Sequence, residues 1–188
     1  MHFSKYKFGS SSCVVIALLA AFSLLNIANA ADTPATPQPA APPRTPPPPA
    51  ARGPALDLAL EAAQTALATC TTNGYKVGVT IVDSAGVTRV VLAADGAIPR
   101  AIDSGAGKAF TAITFKTSSA AVAKQAETDK ELAARLTTDP KQRARAGALP
   151  LIVAGEVIGA IGVGGAPGGE KDEACATAGV DKVKDRLK

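Results

Sequence analysis

Residues 149–166 read LPLIVAGEVIGAIGVGGA. Leu149 to Ala154 and Glu156 to Val163 are two apolar, β-branched runs parted by Ala154-Gly155, a spacing that predicts an antiparallel hairpin. The second arm runs into the glycine-rich stretch 162–169, and a helix is expected from about Glu170 to Leu187. The same pattern occurs upstream. Val77, Val79 and Ile81 alternate with Gly78, Thr80 and Val82, Asp83-Ser84-Ala85-Gly86 supplies a turn, and Val87 to Ala93 continues as a second strand ended by Asp95-Gly96. Strands that come in pairs, with helices between the pairs, predict the α+β class: an antiparallel sheet with helices packed on it.

The helices are read from their apolar spacing. Leu56, Leu60, Ala63, Leu67 and Cys70 form one stripe before the stop signal Asn73-Gly74. Ile102, Ala106, Ala109 and Ile113 define the expected core face of a helix from about Ala101 to Lys116, while Ser104, Lys108, Thr111 and Phe115 share another face. Shorter helical stretches follow at Ser118 to Gln125 and Thr128 to Leu136. Thr137-Thr138-Asp139-Pro140 breaks the second of these and leads into Lys141-Gln142-Arg143-Ala144-Arg145, a local basic loop.

The chain has 188 residues, of which 47% are hydrophobic but only 4% aromatic, with no tryptophan. Any core is therefore built from Ala, Val, Ile and Leu, and nucleic-acid binding by base stacking has little to work with. The net charge of +4 does not belong to the domain: from Ala55 onward 16 Lys/Arg face 15 Asp/Glu, leaving +1. The excess sits at Lys5 and Lys7 and at Arg44 and Arg52 against Asp32, so it names no nucleic-acid partner.

Residues 1–30 read as a signal peptide: Lys5 and Lys7, a mainly apolar run from Cys13 to Leu25, and an A-x-A site at Ala28-Asn29-Ala30. The apolar run falls short of the ~20 residues that span a bilayer, which favours cleavage over an anchor and leaves no integral membrane segment after processing. Residues 31–54 hold ten of the fourteen prolines and read as a semi-extended tether, a spacer rather than a ligand for an aromatic groove. Residues 55–188 form the domain, and the expected location is secreted or periplasmic.

Export also bears on the cysteines. Cys70 and Cys175 lie near the end of the first helix and the start of the last, in a compartment that permits disulfides. They could pair within the chain, pair between subunits, or stay as small buried hydrophobes. The sole histidine, His2, leaves with the leader, so a Ser-His-Asp triad, a Cys-His dyad and a histidine-bound metal are all excluded. Acid-base work would fall to Asp83, Asp95, Asp103 or Lys108, although turn formation accounts for Asp83 and Asp95. The glycine-rich stretch lacks a Gly-Lys-Ser/Thr ending and G-x-G-x-x-G spacing, and Glu170, Asp172 and Glu173 already complement the helix dipole there. It reads as a turn where backbones pack closely. The face with Ser104, Lys108, Thr111 and Phe115 would suit the rim of a pocket for an anionic amphipathic ligand; its alternative is an ordinary solvated helix face.

The ordered chain resembles the GlcG/HbpS-like heme-binding proteins, related to the C-terminal domain of PduO-type proteins. The resemblance rests on 82–86 (VDSAG), 94–97 (ADGA), Ser104 followed by Gly107-Lys108-Ala109 and Thr111-Ala112, above all 149–166, and Asp172-Glu173, and it covers Leu56 to Leu187. It implies a mostly antiparallel five-stranded sheet flanked by helices, a homo-oligomer, and a heme or degraded-tetrapyrrole ligand. Two departures stand out: Ala148 where a glycine is common before Leu-Pro, and Val87 where many members carry histidine. Heme binding would then rely on Lys108, Thr111, Ser104, Phe115 and Tyr75, with Tyr75, Thr111 or water on the iron and Lys108 or the basic loop on the propionates. The resulting expectation is an oligomeric ligand-binding protein for heme or another tetrapyrrole, without catalytic turnover. The alternatives are an enzyme or accessory acting on a small organic acid or corrinoid through Lys108 with Asp103 or Asp83, and a structural envelope protein.

Overall fold

A computed structural model describes residues 50–188; the leader and all but the end of the tether lie outside the described residues. The elements run α1 (Leu56–Thr72), β1 (Gly78–Asp83), β2 (Thr88–Ala93), α2 (Pro99–Phe115), α3 (Ser119–Ala126), α4 (Lys130–Thr138), β3 (Ala148–Val153), β4 (Glu156–Gly164) and α5 (Gly169–Val183), followed by a 3-10 turn at Lys184–Arg186. Both expected hairpins form, and they join through β1 and β4 into one antiparallel sheet of order β2-β1-β4-β3.

The sheet has four strands, not the five that the resemblance implied. Between β2 and β3 the described chain is helical with short connections, and its alanine-rich sequence favours helix over strand. The hairpin ends follow local chemistry. Asp83 Oδ1 accepts from the amides of Ala85 and Val87, both at 3.0 Å, which closes the first turn. In the second, Ala154 and Gly155 both take positive φ, 48° and 82°, as a two-residue hairpin requires. Part of the stretch expected to be free tether docks here: Pro54 is buried, the Ser84 amide donates to the Arg52 carbonyl at 2.8 Å, and Arg52 pairs with Glu156.

Helices cover both faces of the sheet. Ala59, Ala62, Ala63 and Ala66 of α1 and Ala176 and Val183 of α5 pack with Val79, Ile81, Ile161 and Val163 into the larger core cluster. Cys70 and Cys175 form a disulfide within the chain, Cα atoms 5.6 Å apart, which ties these two helices together. On the other face α2 packs through Ala109, Ala112 and Ile113 against Val82, Ala148 and Ala160.

The buried face of α2 keeps half of the expected stripe, Ala109 and Ile113, and departs from the rest. Ile102 and Ala106 are only half-buried, while Ala101, Gly105, Lys108, Ala109, Thr111, Ala112 and Ile113 are buried. The sheet explains this, because it presents glycines to the helix. A Cβ on Gly78 would lie 2.6 Å from Ile102 Cα, one on Gly164 would lie 2.6 Å from the Ala101 carbonyl oxygen, and one on Gly162 would strike Gly105. The helix therefore sinks through its small residues, and the neighbouring Lys108 and Thr111 go down with it.

Candidate functional site

Lys108 is the largest fully buried side chain of the described residues, with 1% of its surface exposed. Its Nζ donates to Asp172 Oδ2 at 2.6 Å and to the Val163 carbonyl oxygen at 3.0 Å. The second oxygen of Asp172 accepts from the Ala166 amide at 2.9 Å, so one carboxylate fixes both the lysine and the turn that leads into α5. Burial pushes the Lys108 ammonium below the ordinary lysine value of 10.5; the Asp172 contact opposes this, and the charges of Arg145 and Arg143 add to it.

The ion pair lies at the floor of a cavity of about 190 Å³ between the start of α2 and the turn before α5. Lys76, Arg100 and Arg145 bring three more cations to its wall, and Ser104, Gly168 and Gly169 complete its polar lining. Another flank of α2 borders a wider groove of about 580 Å³. There Val82 and Phe110 are apolar walls, the Phe110 ring lying over Gly86, and Lys141 and Arg143 stand on one side over Gly107.

Arg143 lines the groove and Arg145 the small cavity, so one short segment borders both. Buried side chains pin it. The Thr111 hydroxyl accepts from the Arg143 amide at 2.7 Å and donates to the Gly107 carbonyl at 2.9 Å. The Ser119 hydroxyl donates to the Arg145 carbonyl at 2.6 Å and accepts from the Ala148 amide at 3.0 Å.

The structure thus brings Ser104 and Lys108 to one cavity and separates the rest of the expected set. Thr111 is a fastener of the basic segment with no exposed surface. Phe115 is half-buried at the end of α2 and lines neither space, and the aromatic ring on a cavity wall is Phe110. Tyr75 packs at the edge of the larger core with Lys171 Nζ 5.4 Å from its ring centroid and lines neither space. The carboxylate partner of Lys108 is Asp172, not Asp103 or Asp83: Asp103 lines the groove and Asp83 closes a turn. Sequence reasoning placed Asp172 at the helix dipole; its inward direction has no local sequence signal, because only the sunken helix creates it. Among the described residues no group of three or more His, Cys, Asp or Glu could hold a metal ion, and no helix is long and apolar enough to cross a membrane.

Comparison with known proteins gives this arrangement relatives. The family described as haem degrading protein HbpS-like matches residues 55–181. A double mutant of HbpS from Streptomyces reticuli is 34% identical, the match covering 76% of this chain and 97% of that one at a TM-score of 0.65. The protein ORFY of Klebsiella pneumoniae shares the fold at 24% identity and a TM-score of 0.67, over 74% of this chain and 95% of that one. PduOC, solved as a complex with heme, shares it at 19% identity and a TM-score of 0.64, over 71% and 96%. Comparison with curated protein sequences gives no match.

Proposed function

The chain belongs to the HbpS-like family, and from that premise we propose that it is an extracytoplasmic, homo-oligomeric binding protein for a tetrapyrrole, heme or a related macrocycle, seated beside Phe110. The observation that carries this reading is the groove. Its volume of about 580 Å³ falls in the range of small-molecule sites, roughly 300–1,000 Å³. Phe110, whose ring packs over Gly86, and Val82 offer apolar contact to a flat ring, and Lys141 and Arg143, which lie over Gly107, stand where two carboxylates could pair with them.

These walls fit a macrocycle and its carboxylates better than they fit its iron. Residues 50–188 contain neither histidine nor methionine, and the groove offers only the Thr88 hydroxyl and the Asp103 carboxylate as side-chain oxygen donors. Bound heme would supply a redox-active iron; what this chain's residues do is hold the ring on Phe110 and anchor its carboxylates. PduOC, with the same fold, was solved with heme, which supports the ligand class. Export by residues 1–30, with the tether ahead of the docked residues 52–54 as a spacer, completes the proposal. Val87 and Val91, exposed at and beside edge strand β2, and Ile152, exposed on edge strand β3, support assembly of copies.

Hemin titrated into residues 31–188 should give a saturable Soret shift at one hemin per chain. Phe110→Ala, or the pair Lys141→Ala with Arg143→Ala, should weaken it at least tenfold. A shift no larger than that of a nonspecific carrier protein refutes the reading. The family's description favours a second reading, degradation of the bound haem. With ascorbate and dioxygen present, Soret loss faster than for hemin on the carrier would support turnover, and an equal rate would support binding alone.

A further inference from the structure

The cavity above the Lys108–Asp172 pair is a separate space from the groove, with its own chemistry. Arg100, Arg145 and Lys108 border it, and its lining holds one carboxylate, Asp172. That carboxylate is already engaged by Lys108 and the Ala166 amide. Arg100 and Arg145 have no acidic side chain within 4.0 Å among the described residues, while the Lys76 ammonium lies against Gly96 and the Glu170 carboxylate beside Gly168 at the rim. Gathering like charges around one recess raises the local potential and favours entry of an anion. Ser104, half-buried on its wall, makes no side-chain hydrogen bond among the described residues, and Lys108 has one N–H left after its two bonds.

Size limits the guest. By the same measure the recess has about 190 Å³ against about 580 Å³ for the groove, which favours a guest of phosphate or three-carbon dicarboxylate size over a macrocycle.

We propose that this cavity binds a small dianionic oxyanion, of phosphate or short-dicarboxylate size, through Arg100, Arg145 and the free hydroxyl of Ser104. The ligand replaces the missing counter-charge, and Lys108 holds the floor of the site while Asp172 keeps it in place. The charges of Arg145 and Arg143 disfavour the Lys108 ammonium, and a dianion beside them opposes that repulsion.

Isothermal titration of the protein with inorganic phosphate, malonate and acetate, at constant ionic strength set with sodium chloride, tests the site. At least one dianion should bind saturably at one per chain, at least tenfold tighter than acetate. Phosphate alone would identify an inorganic ligand, malonate alone an organic dicarboxylate, and both a general dianion site. Lys108→Met could fail to fold, so Arg100→Gln and Arg145→Gln carry the test: each should weaken binding at least fivefold while leaving hemin binding within twofold. Heats equal to those of the chloride control, acetate bound as tightly as malonate, or variants that bind like the parent would overturn the proposal. So would competition between malonate and hemin, which would make the cavity a pocket for the macrocycle's own carboxylate.

Discussion

Asp172→Asn keeps the shape of the side chain and an oxygen for the Ala166 amide, but removes the only carboxylate bonded to the buried Lys108. Taking one partner from a buried ion pair typically costs about 3–5 kcal/mol, because the remaining charge is stranded. Deprotonation sets a ceiling on that cost. At pH 7, about 3.5 pH units below the ordinary lysine value of 10.5, neutralising Lys108 costs about 5 kcal/mol. At pH 9 the ceiling falls to about 2 kcal/mol by the same arithmetic. The loss should therefore be about 3–5 kcal/mol at pH 7 and shrink towards about 2 kcal/mol at pH 9. Adding Lys108→Met to Asp172→Asn should recover at least half of it, since no charge is then stranded. In the parent protein the sign is fixed by the same group. Its folded value lies below 10.5, so the unfolded chain holds the proton to higher pH, and this contribution to stability rises with pH between the two values. Urea unfolding of the parent, both single variants and the double variant at the two pH values measures all of this. A loss below 1 kcal/mol at pH 7, or the same loss at both, would refute the account of Lys108 as a buried charge held by Asp172.

Other consequences are smaller or more local. Cys175→Ser opens a loop with a sequence separation of 105, for which chain entropy gives about 4.7 kcal/mol; thermal melts should show a loss of about 2–5 kcal/mol, matched by reduction of the parent. Gly78→Ala puts a methyl 2.6 Å from Ile102 Cα, and should cost about 1–3 kcal/mol or more in urea unfolding by forcing α2 off the sheet. The Thr80 hydroxyl is buried without a partner among the described residues, so Thr80→Val should be neutral or stabilise by up to about 1 kcal/mol, and a loss would reveal a hidden partner. Ala154→Asn, at φ 48° before Gly155, should raise the melting temperature by an amount equivalent to about 0.5–1 kcal/mol, because asparagine tolerates that backbone better than alanine.

The hairpins were legible because their signals are local. Alternation in 77–82, the Asp83 turn and Ala154-Gly155 each fix a strand pair with no knowledge of the rest, and all stand where they were read. The strand count came instead from the resemblance, and no sequence signal for a fifth strand stood behind it. Helix α2 shows the limit of periodicity. Ile102, Ala106, Ala109 and Ile113 make a regular stripe, yet depth in the fold went to Gly105, Ala109 and Ala112, because the opposing strands offer Gly78, Gly162 and Gly164. A hydrophobicity pattern ranks side chains by transfer energy; a seam between two backbones selects them by size. For the same reason Ser104, Lys108, Thr111 and Phe115 were correctly placed on one side of a helix without sharing an environment, and Phe110 was missed.

The seam also accounts for the site. Because α2 meets the sheet through glycine and alanine, its backbone lies too deep for Lys108 to reach water, and a buried ammonium persists only with a charged, hydrogen-bonded partner. Asp172 meets that need from the first turn of α5, and by turning inward it draws the turn before α5 towards α2 through the Ala166 amide. The recess left between that turn and Arg100 and Ser104 is therefore a product of helix depth, and its excess of positive charge remains because its one carboxylate is consumed below. The groove on another flank of α2 lacks such a floor, and its walls are Phe110 and the segment that Thr111 holds down. One helix, sunk by its smallest residues, thus separates a cation-lined recess of about 190 Å³ from a broader groove of about 580 Å³ that sets Phe110 and Val82 beside Lys141 and Arg143.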